Sequence, residues 1–227
     1  VRYWLTGDLD PGTAFLAKAS WRLDATPHDV LKSRIEAICG NTAVDHALTA
    51  FQLLDKLTSK NTPTFPWGFP VASVMRSYFL KSDPPSPRVV ETLRAYENIT
   101  DHLKAAHDAS TDNGKAYLAY FIGRCEFIRK ALPLLALTQQ FGEAYRNAVA
   151  ARDELKVHEA WDFAQLTMTL GSQAKEQASE AINIFANIAR DQSDRGLLAT
   201  LNMFVYQYLE AQLHLVELDL VHWSVRG

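Results

Sequence analysis

The first candidates for chemistry are two acidic side chains near the start of the chain. Asp8 and Asp10 lie two residues apart in a segment that also contains Gly7 and Pro11. Two carboxylates held several ångströms apart can cleave a glycosidic bond, one as the acid and the other as the nucleophile or base. Sequence spacing shows no such pairing, and acidic residues in a turn usually accept hydrogen bonds from the turn or cap a helix. We therefore favour these structural roles for both residues and assign no catalytic residue.

A second candidate is the aromatic segment Phe65-Pro66-Trp67-Gly68-Phe69. Sugar rings stack on exposed aromatic faces, and loops placed by a rigid scaffold commonly carry binding groups. Trp67 and Phe69 are therefore candidate substrate-binding residues. The alternative is that these rings pack back onto the protein as an apolar plug, and the sequence leaves both interpretations open.

Metal ligands and phosphate-binding loops have weak support. The sequence contains no Gly-rich phosphate loop, no G-x-S-x-G nucleophile elbow and no Glu-x-x-His repeat of the kind that holds paired metal ions in helical bundles. His214, Glu217 and His222 are spaced to share one face of a helix and to offer metal ligands. However, His222 continues an apolar series near a helix C-terminus, where a histidine is electrostatically favoured. We predict no metal site and no cofactor.

Composition argues against several classes of partner. The formal net charge is −3, with 23 Lys and Arg against 26 Asp and Glu, so no excess of basic residues exists to neutralise nucleic-acid phosphates. The longest uninterrupted apolar run, residues 131–137, is far shorter than a membrane span. We expect neither nucleic acid nor a membrane as a partner. Cys39 and Cys125 are too few for a disulfide framework and lie in apolar stretches, so we expect buried free thiols.

Three long helices are predicted in the C-terminal half, because apolar residues recur there at alternating spacings of three and four. We expect them at residues 114–150, 154–190 and 196–222, packed antiparallel. Pro133 should bend the first, and Ser193 or Asp194 should cap the last. A turn or a sharp kink is expected around residues 151–154. The side chains expected to face inward are Phe121, Ile128, Leu166, Leu170, Phe204 and Tyr208.

Shorter helices should precede this bundle. Thr26 followed by Pro27 is typical of a helix start, and Gly40 of a helix end. Trp21 and Trp161 fit helical faces and are expected in the core. We predict an all-α fold, an up-and-down bundle of long antiparallel helices preceded by shorter ones, with a strand only at residues 1–5. We expect residues 1–82 to form an N-terminal short-helix region with the aromatic loop and residues 83–227 to form the helical bundle, the two regions packing as one domain.

The N-terminal residues resemble a known junction. They are Tyr3-Trp4, Asp8-Leu9-Asp10-Pro11, Phe15-Leu16-Ala17, Trp21, Thr26-Pro27 and Cys39-Gly40. This string is similar to the passage from the last barrel strand of a (β/α)8 glycoside hydrolase into its helical C-terminal region, as in α-glucuronidase-like and hexosaminidase-like enzymes. The resemblance implies that Trp4 and Asp8 occupy places where the junction approaches a substrate. It also implies that the catalytic carboxylates belong to barrel strands that this chain does not contain.

The function implied is that of a C-terminal all-helical accessory domain of a larger carbohydrate-active hydrolase, without activity by itself. Its expected partner is the catalytic barrel domain of the same protein, with a second copy of the chain and a carbohydrate as further candidates. The start at Val1 rather than Met, without the layout of a signal peptide, agrees with an origin inside a longer protein.

The alternative, from a different class, is a free-standing helical-bundle interaction or regulatory module without catalytic activity. The surface near the chain start and near residues 65–69 distinguishes the two. An apolar patch left bare there favours a domain that packs on a barrel, whereas a closed polar surface favours the free-standing module.

Overall fold

The computed structural model describes residues 10–59, 72–81 and 87–226, and no strand occurs in these ranges. The helices are α1 (Asp10–Ala19), α2 (Pro27–Cys39), α3 (Val44–Ser59), α4 (Ala72–Leu80), α5 (Pro87–Asp108), α6 (Asp112–Asp153), α7 (Val157–Ala186), α8 (Gln192–Leu201) and α9 (Gln207–Arg226). A 3₁₀ turn, Asn41–Ala43, leads into α3, and a π-helical turn, Asn202–Tyr206, joins α8 to α9. The predicted all-α bundle, with shorter helices before the long ones, is confirmed. The strand expected at residues 1–5 lies outside the described residues.

Local sequence signals set both ends of α2. Thr26 Oγ1 accepts a hydrogen bond from the backbone N–H of Asp29 at 3.1 Å. Pro27 occupies the first helical position, where the missing N–H costs nothing. Gly40 ends the helix with φ +86°, a conformation that favours glycine. Both predicted ends of this helix are confirmed.

The start of α8 is capped by a residue that the sequence analysis did not single out. Asp191 Oδ1 accepts hydrogen bonds from the backbone N–H groups of Ser193 at 2.9 Å and of Asp194 at 3.0 Å. Because α8 begins at Gln192, Ser193 and Asp194 already lie in its first turn. The prediction that one of these two residues caps the helix is therefore wrong.

The first long helix, α6, continues through Pro133 and ends at Asp153. Proline removes one donor from the helical hydrogen-bond ladder. Beside this interruption, the side-chain amide of Gln177 in α7 donates to the backbone carbonyl of Lys130 at 2.9 Å. The turn predicted around residues 151–154 is confirmed, because Leu155 has φ +63° and α7 begins only at Val157.

The chain forms two compact units, each assembled from separate stretches of the sequence. Among the described residues, unit 1 takes 10–59, 90–129 and 184–197, and unit 2 takes the rest. The division into residues 1–82 and 83–227, which follows the order of the sequence, stays a prediction.

Aromatic rings from α3 and α6 form the core of unit 1. Phe51 meets Phe121 edge to face with the ring centroids 4.8 Å apart, and the ring centroid of Tyr117 lies 5.2 Å from that of Phe121. The side chains of Phe121 and Ile128 are both buried. Their predicted inward positions are therefore confirmed.

The core of unit 2 draws on α4, α6, α7 and α9. Its buried cluster consists of Phe79, Phe141, Ala164, Val216 and Leu220. Along α6 and α7, Lys130 pairs with Glu180 near one end, and Phe141 approaches Gly171 further along, so the two helices run antiparallel. Helices α7 and α9 are also antiparallel, because Lys175 pairs with Glu210 whereas the earlier residue Gly171 approaches the later residue Leu213.

The short helix α4 was not predicted from the sequence. Arg146 of α6 holds its C-terminal end, because the guanidinium donates to the backbone carbonyls of Phe79 at 2.6 Å and Lys81 at 2.8 Å. These carbonyls at the end of α4 have no partner inside the helix, so the contact from α6 satisfies them. The signal for this helix end therefore lies more than sixty residues away in the sequence.

Two side chains that were predicted to face inward, one on α7 and one in the π-helical turn before α9, lie on the surface. Leu166 is 45% exposed and Phe204 is 42% exposed, whereas Leu170 and Tyr208 are partly buried. On α7, small residues make the buried face instead: Ala160, Ala164, Ala174, Ala178 and Ala181. Alanines let a neighbouring helix approach closely, and the bulkier Leu166 lies off that face.

The two tryptophans expected in the core are also exposed. Trp21 is 90% exposed and Trp161 is 46% exposed. Trp21 comes after the end of α1 at Ala19, so no helical face carries it into a core. Trp161 follows the buried Ala160 and is rotated away from the alanine face of α7. Both predictions are wrong.

Candidate functional site

The substrate-binding residues predicted from the sequence lie outside the described residues. These are Trp4, Asp8, Trp67 and Phe69. The backbone of Asp10 opens α1, directly before Pro11, as expected for an acidic residue at a helix start. The carbohydrate contacts of the four residues stay predictions.

A first candidate surface lies on α1 and the turn that follows it. Leu16, Trp21 and Leu23 all expose most of their side-chain surface, and we call them the N-terminal apolar residues. In the turn that carries two of them, Arg22 donates to both carboxylate oxygens of Asp24 at 3.2 and 2.7 Å. The hydrogen bond from Arg22 also holds the pKa of Asp24 below its usual value, so the pair is charged at neutral pH. The polar side chains thus pair with each other and leave the apolar ones facing water.

A second candidate surface runs along the last helix. Phe204, Tyr208, Ala211, Leu215 and Leu218 recur at alternating spacings of four and three, which places them on one side of the helix. We call this set the α9 stripe. Phe204, Leu215 and Leu218 are exposed. A near-heptad seam that should pack inward therefore faces solvent over much of its length.

The π-helical turn Asn202–Tyr206 gives the physical reason for this reversal. A π turn inserts one extra residue, which rotates the following α-helix by roughly 100° relative to an uninterrupted one. From this turn onwards the buried side of the helix consists of Val205, Leu209, Val216 and Leu220. The apolar pattern predicted a helix here, but not the face that this helix turns towards the core of unit 2.

A buried carboxylate in unit 1 links α6 to the start of α8. Asp194 accepts hydrogen bonds from the Tyr120 hydroxyl at 3.2 Å and from the Arg190 backbone N–H at 2.8 Å. The Arg190 guanidinium lies 4.8 Å from the centre of the Tyr120 ring and donates to the carbonyl of Ala116. Both oxygens of Asp194 are engaged by neighbouring protein groups, so this carboxylate serves to hold the two helices together.

Tyr145 and Asp219 form a comparable pair in unit 2. The Tyr145 hydroxyl donates to Asp219 Oδ2 at 2.8 Å. Burial, reinforced by this hydrogen bond, raises the pKa of Tyr145 to about 12. The hydroxyl is therefore a protonated donor at neutral pH, which suits a fixed link between α6 and α9.

An open groove of about 510 Å³ lies between α6 and α7 in unit 2. Its lining residues are Pro133, Ala136, Leu137, Gln140, Gln173, Glu176, Gln177 and Glu180. Two of the polar ones take part in helix packing. Glu180 pairs with Lys130 at 2.5 Å, and Gln177 donates to the Lys130 carbonyl. The groove is thus continuous with the α6–α7 packing at Pro133.

Possible metal ligands were assessed on the last helix and elsewhere. His214 Nδ1 lies 3.8 Å from Glu217 Oε2, and both side chains are exposed, as is His222. No group of three or more His, Cys, Asp or Glu side chains suited to a metal ion occurs within the described ranges. A different histidine pair, His46 on α3 and His102 on α5, brings its Nδ1 atoms to 3.2 Å. Sequence reasoning missed this pair because only the packing of two helices brings the residues together.

The two cysteines are buried free thiols, as predicted. Burial raises the pKa of the Cys39 thiol, and a hydrogen bond with Ser110 opposes this effect to a smaller extent. A thiol that is both buried and protonated reacts slowly, because the thiolate is the nucleophile.

We expect a thiol reagent to label native protein slowly and denatured protein rapidly. The single variants Cys39→Ser and Cys125→Ser each leave one thiol, so the rate of each can be measured separately. Release of the coloured leaving group from a disulfide reagent gives the rate. Native labelling of either thiol at the rate of the denatured chain would contradict its burial.

Comparisons with known proteins complete this description. No protein-family model, no curated protein and no solved structure matches the chain. No helix in the part of the chain that the structure describes is long and apolar enough to span a membrane. The function is therefore inferred from the chain's own residues and surfaces.

Proposed function

We propose that the chain is the C-terminal all-helical accessory domain of a larger carbohydrate-active glycoside hydrolase, where it packs on the catalytic barrel. The observation that carries this proposal is the exposure of Leu16, Trp21 and Leu23. They directly follow the Trp4–Pro11 segment, whose residues resemble the exit from the last barrel strand. Three largely exposed apolar side chains in one short stretch of sequence are what a surface covered by another domain would supply, provided that they form one patch.

Burying these apolar side chains against the barrel would stabilise the parent protein. Fully burying a side chain of this size stabilises a protein by roughly 1.5–3 kcal/mol. Within the turn that carries Trp21 and Leu23, Arg22 donates to Asp24. These two charged side chains therefore already have a partner and need none from the barrel.

The α9 stripe supports a second role within the same proposal, namely contact with a second copy of the chain. Its spacing of four and three is that of helices that pack side by side along a seam. The stripe combines the small Ala211 with larger neighbours such as Leu215. In an antiparallel pair whose two-fold axis passes midway between Ala211 and Leu215, Ala211 of one helix would face Leu215 of the other, which lets the two backbones approach closely.

In this proposal the chain contributes to substrate binding but holds no catalytic carboxylate. Trp4 and Asp8 approach the sugar from the junction, and Trp67 and Phe69 offer rings for stacking. The acid and the nucleophile or base belong to the barrel, because glycoside cleavage needs both at a matched separation with different pKa values.

The α9 stripe is also the observation that favours the alternative, a free-standing interaction module. A helix-pairing seam needs no barrel, and a module of this kind would use it to bind a partner helix. The two candidates differ at the N-terminal apolar residues, which only the accessory domain needs to bury.

We expect the 227-residue chain to hydrolyse no aryl glycoside, and the product of the complete reading frame to hydrolyse at least one. The panel should include aryl uronides and N-acetylhexosaminides, with release of the aryl group measured by absorbance. Turnover by the chain alone, abolished by Asp8→Asn, would overturn the proposal and make the N-terminal turn an active site. A reading frame that encodes no barrel would favour the free-standing module.

A variant test addresses the docking surface itself. In the complete protein, replacing both Trp21 and Leu23 by serine should separate thermal unfolding into two transitions, because the helical domain loses its packing on the barrel. The matched control is Trp161→Ser, a partly exposed tryptophan in unit 2, which should leave a single transition. Identical unfolding of the two variants would contradict docking through the N-terminal apolar residues.

A further inference from the structure

Two histidines from different helices of unit 1 face each other at close range. His46 near the start of α3 and His102 on α5 place their Nδ1 atoms 3.2 Å apart. Their ring centroids are 5.5 Å apart and the ring planes are inclined by 41°. Each Nδ1 therefore points towards the other ring, and the pair is accessible from solvent.

The helix positions behind this pair are well fixed. Ala43 and Ala47 flank His46, Leu103 and Ala106 lie next to His102 along α5, and all four are fully buried. The Thr42 hydroxyl donates to the backbone carbonyl of Ala109 at 2.7 Å, which ties the start of α3 to the end of α5. The spacing of the two helix backbones that carry the imidazoles is thus set by packing on either side of them, while the solvent-accessible rings keep their side-chain rotation.

The separation matches the requirements of a tetrahedral metal ion. Zn²⁺ binds imidazole nitrogen at about 2.0–2.1 Å, so two nitrogens on a tetrahedral ion lie roughly 3.3 Å apart. Two adjacent nitrogens of a square-planar ion would lie only about 2.9 Å apart. The observed 3.2 Å is closer to the tetrahedral value. The metal would stand about 1.3 Å to the side of the line between the nitrogens, which a rotation of the two rings allows.

We propose that His46 and His102 form a two-ligand Zn²⁺ site that bridges α3 and α5. Without metal, the Nδ1–H of one ring donates to the Nδ1 lone pair of the other. When Zn²⁺ binds, both rings carry their proton on Nε2 and present Nδ1 to the metal. Between two neutral imidazoles this changes the tautomer of one ring and releases no proton, whereas a protonated ring must first lose one.

The other coordination positions belong to water. No third His, Cys, Asp or Glu completes a cluster in the described parts of the chain. The site is therefore open and exchangeable, weaker than a structural site with four protein ligands. Because it joins residues 56 positions apart in sequence, the bound metal should stabilise the folded form of unit 1 by mass action.

The test uses Zn²⁺ chloride and protein without a histidine tag. Isothermal titration calorimetry and thermal unfolding compare the wild type with His46→Asn, His102→Asn and the control His214→Asn. His214 is an exposed histidine on α9 with a carboxylate neighbour, Glu217, so the control removes one imidazole from a position outside the proposed site. Thermal unfolding without metal shows first that each variant is folded.

We expect one Zn²⁺ per wild-type chain and a rise in the melting temperature on its addition. Removing a hydrogen-bond partner of a metal ligand typically lowers the metal affinity about 10–100-fold. Removing a ligand itself should cost at least as much, so His46→Asn and His102→Asn should each bind Zn²⁺ at least about tenfold more weakly. His214→Asn should bind as the wild type does. Replacing Zn²⁺ by Co²⁺ should give the intense visible bands of tetrahedral coordination in the wild type and in His214→Asn, but in neither ligand variant. Equal affinity in the wild type and both ligand variants, or loss of binding in His214→Asn alone, would overturn the proposal.

Discussion

Replacing Phe141 with alanine is expected to lower the free energy of unfolding by about 3–5 kcal/mol. Phe141 is completely buried and meets Phe79 edge to face, with the ring centroids 5.0 Å apart. It belongs to the cluster that also contains Ala164 and Val216, and this cluster draws its members from four helices. Removing the ring loses both apolar burial and aromatic contact, and four packed helices cannot all move to fill the space.

Leu166→Ala is the matched control for this prediction. Leu166 lies on α7 and was predicted to face inward, but its side chain is 45% exposed. Its truncation should change the free energy of unfolding by no more than about 0.5 kcal/mol. Leu170→Ala should fall between the two, because that side chain packs partly buried against the cluster. Denaturant unfolding followed by circular dichroism measures all three, and equal losses at Phe141 and Leu166 would contradict the orientation of α7.

The helix ends that could be predicted are those set by neighbouring residues. Thr26, Pro27 and Gly40 define the start and end of α2 because a side-chain acceptor, a missing donor and a positive φ all act locally. The turn between α6 and α7 was visible for the same reason, as a change in the phase of the apolar pattern. The three long helices followed from periodicity sustained over many turns.

Which face of a helix points towards the core could not be predicted from the sequence in the same way. Periodicity shows which residues share a face, but a single π turn rotates that face away from its expected direction. On α9 this displaces Phe204 and Leu215 from the core side in favour of Val205 and Val216. On α7 the alanine row is buried and Leu166 is not, because close helix approach selects small residues.

The candidate sites also differ in how far the sequence alone could predict them. Leu16 and Trp21 belong to the string of residues that resembles a junction, but Trp21 was expected in the core, so its exposure was not predicted. His46 and His102 lie 56 positions apart, and no spacing rule joins residues at such a separation. The carbohydrate contacts of Trp4 and Trp67 rest on residue type alone and stay predictions.

Gly142→Ala should destabilise the protein by about 3 kcal/mol, the upper part of the usual cost of overpacking. A methyl group at this position of α6 would collide with the backbone carbonyl of Phe79, lying 2.7 Å from its carbon. That carbonyl also accepts the 2.6 Å hydrogen bond from Arg146, so moving it aside would weaken the contact that ends α4. Backbone atoms cannot rotate away as a flexible side chain can.

The control is Gly196→Ala on α8, because a methyl group there meets nothing within 4 Å. Alanine is favoured over glycine in a helix interior, so Gly196→Ala should stabilise the protein by about 0.5–1 kcal/mol. The same intrinsic preference acts at Gly142, and the difference between the two variants therefore isolates the clash with Phe79. Denaturant midpoints of both variants, compared at equal m-value, give that difference. If Gly142→Ala were as stable as the wild type, α4 would not pack on α6 as closely as described, and the assignment of Arg146 as the residue that holds α4 would fail with it.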